Sequence, residues 1–174
     1  MKTRMAIMIL YIFQFISCDG EKNDKMYPIG AGFEIYDTVN PYSYNLESDY
    51  SIVNFDTVQL KQIPILKYED LIKYDTSAHK LTIDVSHNSL KIDNAGVNGR
   101  MFVVTLDNQP VYCGFKWPVI SSVPCHWIYI EEPYEELDGL LDSEIVISFS
   151  TENYPDPRLD KRIIDRLTAD GKIE

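Results

Sequence analysis

The chain has 174 residues, a formal charge of −11, 45% hydrophobic residues and 12% aromatic ones. That composition excludes a disordered chain, and the length suits one ordinary domain that buries a core without covalent staples. An acidic surface repels phosphate backbones and anionic lipid headgroups, so nucleic acid is excluded as an expected partner.

The N-terminus comes first in chain order and sets the expected compartment. Lys2 and Arg4 precede an apolar run, Met5 to Ile16, interrupted only by Gln14. Phe15, Ile16, Ser17 and Cys18 then give way to Asp19, Glu21, Lys22, Asp24 and Lys25. A basic start, a short apolar core and a small residue before a polar break form a secretory signal. The run is shorter than the ~20 apolar residues of a spanning helix.

Phe15, Ser17 and Cys18 resemble the lipobox of bacterial lipoproteins, which has an apolar residue three before the cysteine and a small residue just before it. Phe15 departs from the family's usual leucine. The resemblance covers the first 18 residues. It implies cleavage after Ser17, acylation of Cys18 with palmitate-type chains, and lipid anchoring in the bacterial cell envelope, periplasm included. Each buried methylene contributes roughly 0.8 kcal/mol, and stable anchoring takes more than one chain. Removal of 1–17 would leave 157 of the 174 residues, and the loss of Lys2 and Arg4 would take the charge from −11 to −13.

Residues 18–32 read as a polar, Gly-containing tether, and 33–174 as one domain. Phe33 to Val39 alternates apolar and polar residues, the period of a half-buried strand. Pro41 to Tyr50 reads as a loop with Tyr42, Tyr44 and Tyr50. Ile52–Phe55 and Thr57–Leu60 are short alternating pieces. Tyr68 to Ile72 reads as a helical turn with acids at its N-terminal end. His79 to Val85 is a strand with Leu81, Ile83 and Val85 on one face. Ser86 to Ala95 is one or two helical turns. Met101–Leu106 and Val111–Trp117 form an antiparallel hairpin across Asp107–Pro110. Pro118–Pro124 is a small-residue loop, Cys125–Ile130 a strand, Glu131–Asp142 a surface loop and Glu144–Phe149 the last strand. Asp156, Pro157 and Gly171 bound a C-terminal helix, and Leu159, Ile163, Ile164 and Leu167 form its apolar stripe.

Between Ile63 and Ser122, Pro64-Ile65-Leu66, Glu69-Asp70-Leu71, the strand at Leu81–Val85, Gly99 and the hairpin Phe102–Asp107 to Val111-Tyr112 stand in a suggestive order. The stretch is similar to the head of the first periplasmic domain of the Sec-translocon export proteins SecD and SecDF. It covers about a third of the chain. The resemblance implies an α+β sandwich of one mixed sheet with helices, in a domain type that contacts other polypeptides. The chain lacks that family's membrane helices, so transport is not carried over.

Residues that bear chemistry are few. His79 and His87 are eight apart, which is no standard zinc spacing, and no metal site is expected. Ser121 and Ser122 lie in a loop near His126, a grouping that leaves a small hydrolase open but lacks the nucleophile elbow. Glu131-Glu132 and Glu135-Glu136 lack the alternate spacing of a calcium loop. Gly96-Val97-Asn98-Gly99 is too short for a phosphate cradle and carries no lysine, so no cofactor is expected. Cys113 and Cys125 form either a disulfide, which an export compartment permits, or two small buried side chains. Trp117, Ser121, Ser122 and Trp127 mark a binding surface, with closure of the core by both tryptophans as the alternative.

The expected fold is therefore α+β: a single, mostly antiparallel sheet with one or two short helices and a C-terminal amphipathic helix packed on it. The expected function is a lipid-anchored, non-enzymatic envelope protein of binding type, attached to a membrane through Cys18 and contacting another envelope protein or peptide. The alternatives are a small envelope hydrolase using Ser121, Ser122 and His126, and an immunity-type inhibitor of a basic partner.

Overall fold

The computed structural model describes residues 29–84, 96–132, 143–151 and 154–174. The expected signal, Cys18, the helical stretch Ser86–Ala95 and residues 133–142 of the expected acidic loop lie outside the described residues.

The hairpin organises the fold. β4 (Arg100–Leu106) and β5 (Gln109–Pro118) pair antiparallel. β-branched and aromatic side chains favour this pleated, fully packed position. The turn is tighter than expected. Asp107 and Asn108 both adopt positive φ, 49° and 64°, as a two-residue hairpin turn of the primed type requires. Gln109 and Pro110 already belong to the strand, and a register shift between Val104 and Thr105 accommodates Pro110.

β1 (Phe33–Asp37) pairs with the far side of β4, and β6 (Ile128–Glu132) lies parallel to β5. β8 (Ser148–Phe149) closes the order β1-β4-β5-β6-β8. A second sheet holds β2 (Leu71–Asp75), β3 (Lys80–Ile83) and β7 (Glu144–Val146). The expected single sheet is thus two sheets. The α+β class and the antiparallel preference hold, with β5–β6 the one parallel pair among the described strands.

The expected strand Glu144–Phe149 divides at Ile147, which is wholly buried. Its N–H donates to the His79 carbonyl at 3.0 Å. Its carbonyl accepts from Arg158 Nη1 at 2.6 Å. With both backbone groups engaged elsewhere, the ladder changes sheets at this residue. The turn expected over Tyr68–Ile72 ends at Asp70, and Leu71 and Ile72 begin a strand. The alternating pieces between Ser51 and Leu60 are 3-10 turns, Tyr50–Ile52 and Phe55–Thr57, capped by Asp49 and Asn54.

Register fixes the two faces of the large sheet. Ile35, Val104, Tyr112 and the Phe102–Gly114 pair share one face with Lys116 and Ile130. This face meets the small sheet: Phe33 stacks on Tyr74 at 6.4 Å. On the other face Phe115 and Trp117 are covered by the 40–50 loop. Tyr44 contacts both rings edge-on at 5.2 and 5.3 Å, and Tyr50 meets Phe115 at 4.9 Å. Covering both faces buries all of β1, contrary to its half-buried pattern. Its outer edge is covered too, by residues 59–66, through Ile35 N to Leu66 O at 3.0 Å and Val39 N to Gln59 O at 2.8 Å.

The C-terminal segment is two pieces. Asp156 caps a 3-10 turn, Pro157–Leu159, and Asp160 caps α1 (Lys161–Ala169). Gly171 stops the helix at φ 70°. Ile163 and Leu167 are fully buried, but Leu159 is exposed because it belongs to the turn and not to the helix. Tyr68 Oη donates to Asp170 at 2.6 Å, and Arg166 reaches Asp107 at 2.7 Å. The helix is thereby pinned to the tip of the central hairpin.

Candidate functional site

The end of the hairpin opposite Asp107 carries the expected binding surface. Residues 96–99 lead into β4 and residues 118–124 leave β5. Gly99 takes φ 66°, and a Cβ there would lie 2.6 Å from the Trp117 ring. Only glycine lets this loop sit on that indole. Asn98 accepts from Tyr44 N at 2.9 Å, and Tyr42 accepts from Met101 N at 2.9 Å. The neighbouring loop turns through Ser121 N to Pro118 O at 2.9 Å. Ser121 Oγ then donates to the Val97 carbonyl at 2.9 Å and joins the two loops.

The large apolar side chains exposed at this pole are aliphatic, beside exposed Asn98 and Ser122. Val97 is 66% exposed and Ile120 69%, with Val119 and Val123 near 41% and 42%. Trp117 and Trp127 are buried, so the expected surface loses both indoles to the core. Trp117 lies under Gly99 and Tyr44. Trp127 packs edge-on to Phe149 at 5.5 Å and Tyr154 at 5.7 Å. Its indole N–H donates to the Cys113 carbonyl at 2.9 Å, which satisfies the polar handle of a buried tryptophan. Ser121 and Ser122 remain at the surface. No sequence period marks Val97, Val119, Ile120 and Val123. Their signal is the absence of charge: 96–99 and 118–124 contain no Asp, Glu, Lys or Arg, in a chain that is 25% charged.

Ser121 Oγ is engaged with the carbonyls of Val97 and Val123. His126 is exposed, and its backbone N–H, not its ring, donates to Tyr44 Oη at 3.1 Å. No hydrogen bond joins either serine to that imidazole among the described residues. Of the two readings of the cysteines, the structure has the second: Cys113 and Cys125 are buried free thiols. Burial pushes the Cys113 thiol up to about 12 and the Cys125 thiol up to about 11, so neither is a thiolate nucleophile at neutral pH.

Two polar clusters escaped the sequence reading. Asp37 and Lys116 are buried between the layers, with Lys116 Nζ 2.7 Å from Asp37 Oδ1. The contact is a buried ion pair. Lys61 donates to Asp37 Oδ2 at 3.0 Å. Burial raises the Asp37 pKa, but the two ammonium groups outweigh it and hold the carboxyl below its ordinary range.

The second cluster surrounds His79, a non-glycine residue at φ 52°. Its Nδ1 lies 2.9 Å from Tyr74 Oη, and its Nε2 lies 3.6 Å from Asp156 Oδ2. Asp156 also binds Arg158 through Nε and Nη2. Burial, with help from the Arg158 charge, lowers the His79 pKa against the pull of Asp156. Tyr74 is buried and His79 and Asp156 are partly buried, and this chain of side chains ties β2 and β3 to the C-terminal segment. Among the described residues no group of three or more His, Cys, Asp or Glu is placed to hold a metal ion.

No protein-family model, curated protein or solved structure matches this chain.

Proposed function

We propose that the chain is a lipid-anchored protein of the bacterial cell envelope whose folded body binds another envelope component and performs no catalysis. The reading of the compartment rests on the lipobox-like Phe15–Cys18 that follows the basic and apolar segments. The preference for binding is carried by one observation. The nucleophiles and bases among the described residues that sequence reading singled out hold the fold together or stand alone. Ser121 ties two loops, both described thiols are buried and protonated, and His79 is fixed between Tyr74 and Asp156. The formal charge of −11 favours a cationic partner.

The test is acyl-probe labelling of cells expressing the protein. The wild-type chain takes the label and Cys18→Ala does not. A wild-type chain that never takes the label removes the anchor from this reading. For the binding half, the purified protein is offered an ester and peptide panel. Turnover that His126→Ala abolishes, with the fold intact, replaces the binding reading by the hydrolase.

A further inference from the structure

The geometry points to the charge-free pole, Val97 with Val119, Ile120 and Val123, as a tip that inserts into a zwitterionic lipid surface. The tip rests on the lipid-anchor reading only in that the anchor holds the body beside a bilayer and raises the effective concentration of the loops there.

Three observations select this surface and this occupant. First, isolated exposed apolar residues are ordinary, but these four lie on two loops joined by the Ser121–Val97 hydrogen bond. Leu46 and Ile52 are exposed as well, yet they stand among Glu47, Asp49 and Asp56, where a bilayer would meet carboxylates. Second, the eleven residues of 96–99 and 118–124 carry no ionisable side chain and no aromatic or arginine. Protein hot spots draw on Trp, Tyr and Arg, whereas aliphatic loops without charge suit a hydrocarbon boundary. Third, the acidity of the chain repels anionic headgroups, which restricts the surface to a zwitterionic one.

The chain's path permits the contact. Gly30 sits beside Asn108, at the far end of the hairpin from the tip. The ten residues of β5, which separate Asn108 from the loop at 118–124, span about 34 Å. Cys18 and Ile29 are eleven residues apart, a stretch that reaches at most ~36–40 Å. A body lying along the bilayer can therefore place both its anchor and its tip in one membrane.

The experiment uses the full chain carrying Ile120→Trp, reconstituted by detergent removal into phosphatidylcholine vesicles with or without brominated acyl chains. Trp117 and Trp127 are buried, so the unsubstituted chain supplies the background. On sedimented vesicles the added indole is expected to shift to the blue, lose emission to brominated lipid and lose access to iodide. Adding Val119→Asp and Val123→Asp should return iodide access with an unchanged far-ultraviolet spectrum. Val97→Trp is the second reporter and should behave like Ile120→Trp. A sedimented chain whose indole stays iodide-accessible and untouched by brominated lipid overturns the insertion and leaves the pole to a protein partner, while the anchor stands. A chain that stays in the supernatant overturns insertion and anchor together. Quenching on a chain whose Cys18 is bare supports the tip and removes the anchor alone.

Discussion

Lys116 Nζ stands 2.7 Å from Asp37 Oδ1 across the central sheet, with the lysine side chain 1% exposed and the aspartate 6%. Removing the carboxylate leaves a buried ammonium with no counter-charge within reach among the described residues. Asp37→Ala is therefore expected to destabilise the fold by about 3–5 kcal/mol. Lys116→Met conserves much of the volume and leaves Asp37 with Lys61, so its loss should be clearly smaller. Urea denaturation of the three proteins checks the order, and equal losses would show that the pair is not what holds the layers together.

A second expectation concerns acid. The folded-state pKa of His79 lies below its ordinary 6.5. The unfolded chain therefore binds the proton more readily than the folded one. The contribution of His79 is complete above 6.5 and is lost as pH falls through that value toward the folded pKa. Glu34 works in the opposite sense, because burial raises its carboxyl above 4.5 despite hydrogen bonds from Tyr36 and Gly30. The comparison with His79→Gln isolates the histidine. Wild-type stability should fall more steeply than that of the variant between pH 7 and roughly 5, the window set by an imidazole titration. Parallel curves would remove His79 from the acid response.

Gly32 offers a third. Its φ is 81°, and an added Cβ would lie 2.2 Å from the Tyr68 ring. Tyr68 in turn holds Asp170 and lies under Lys172 at 4.4 Å. Gly32→Ala combines a left-handed backbone with a clash, and should cost about 1–3 kcal/mol or more. Hydrogen exchange should locate the loosening in α1 as well as at the substitution. A loss confined to residues near 32 would contradict the coupling.

The thiols give a fourth. Cys113 and Cys125 should resist iodoacetamide in the native protein and both react once it is unfolded without reductant. A chain that yields no free thiol at these positions on unfolding would restore the disulfide that the structure lacks.

What the sequence made legible follows from local physics. Met101–Leu106 and Val111–Trp117 declared a hairpin because β-branched and aromatic runs flank a polar turn, and Asp156 and Gly171 bound the C-terminal segment by capping chemistry, though not its division at Asp160. The Leu71–Asp75 strand was hidden behind Glu69 and Asp70, whose acids suggest the start of a helix. Glu144–Phe149 has one unbroken strand pattern. Its division depends on His79 and Arg158, which are distant in sequence and compete for the backbone of Ile147. The alternation in β1 predicted a wet face, but polar residues can be buried when they find partners, as Glu34 does in Tyr36 two residues along the same strand at 2.6 Å and Asp37 does in the distant Lys116. Trp117 and Trp127 follow the core-closing alternative, because the 40–50 loop and the C-terminal half, distant in sequence, cover them.

The most direct measurement is the mass of the N-terminal peptide of the protein recovered from cell envelopes. The account predicts a chain that begins at Cys18 and carries acyl chains on that residue. A chain that begins elsewhere, or a Cys18 with a bare thiol, would contradict it.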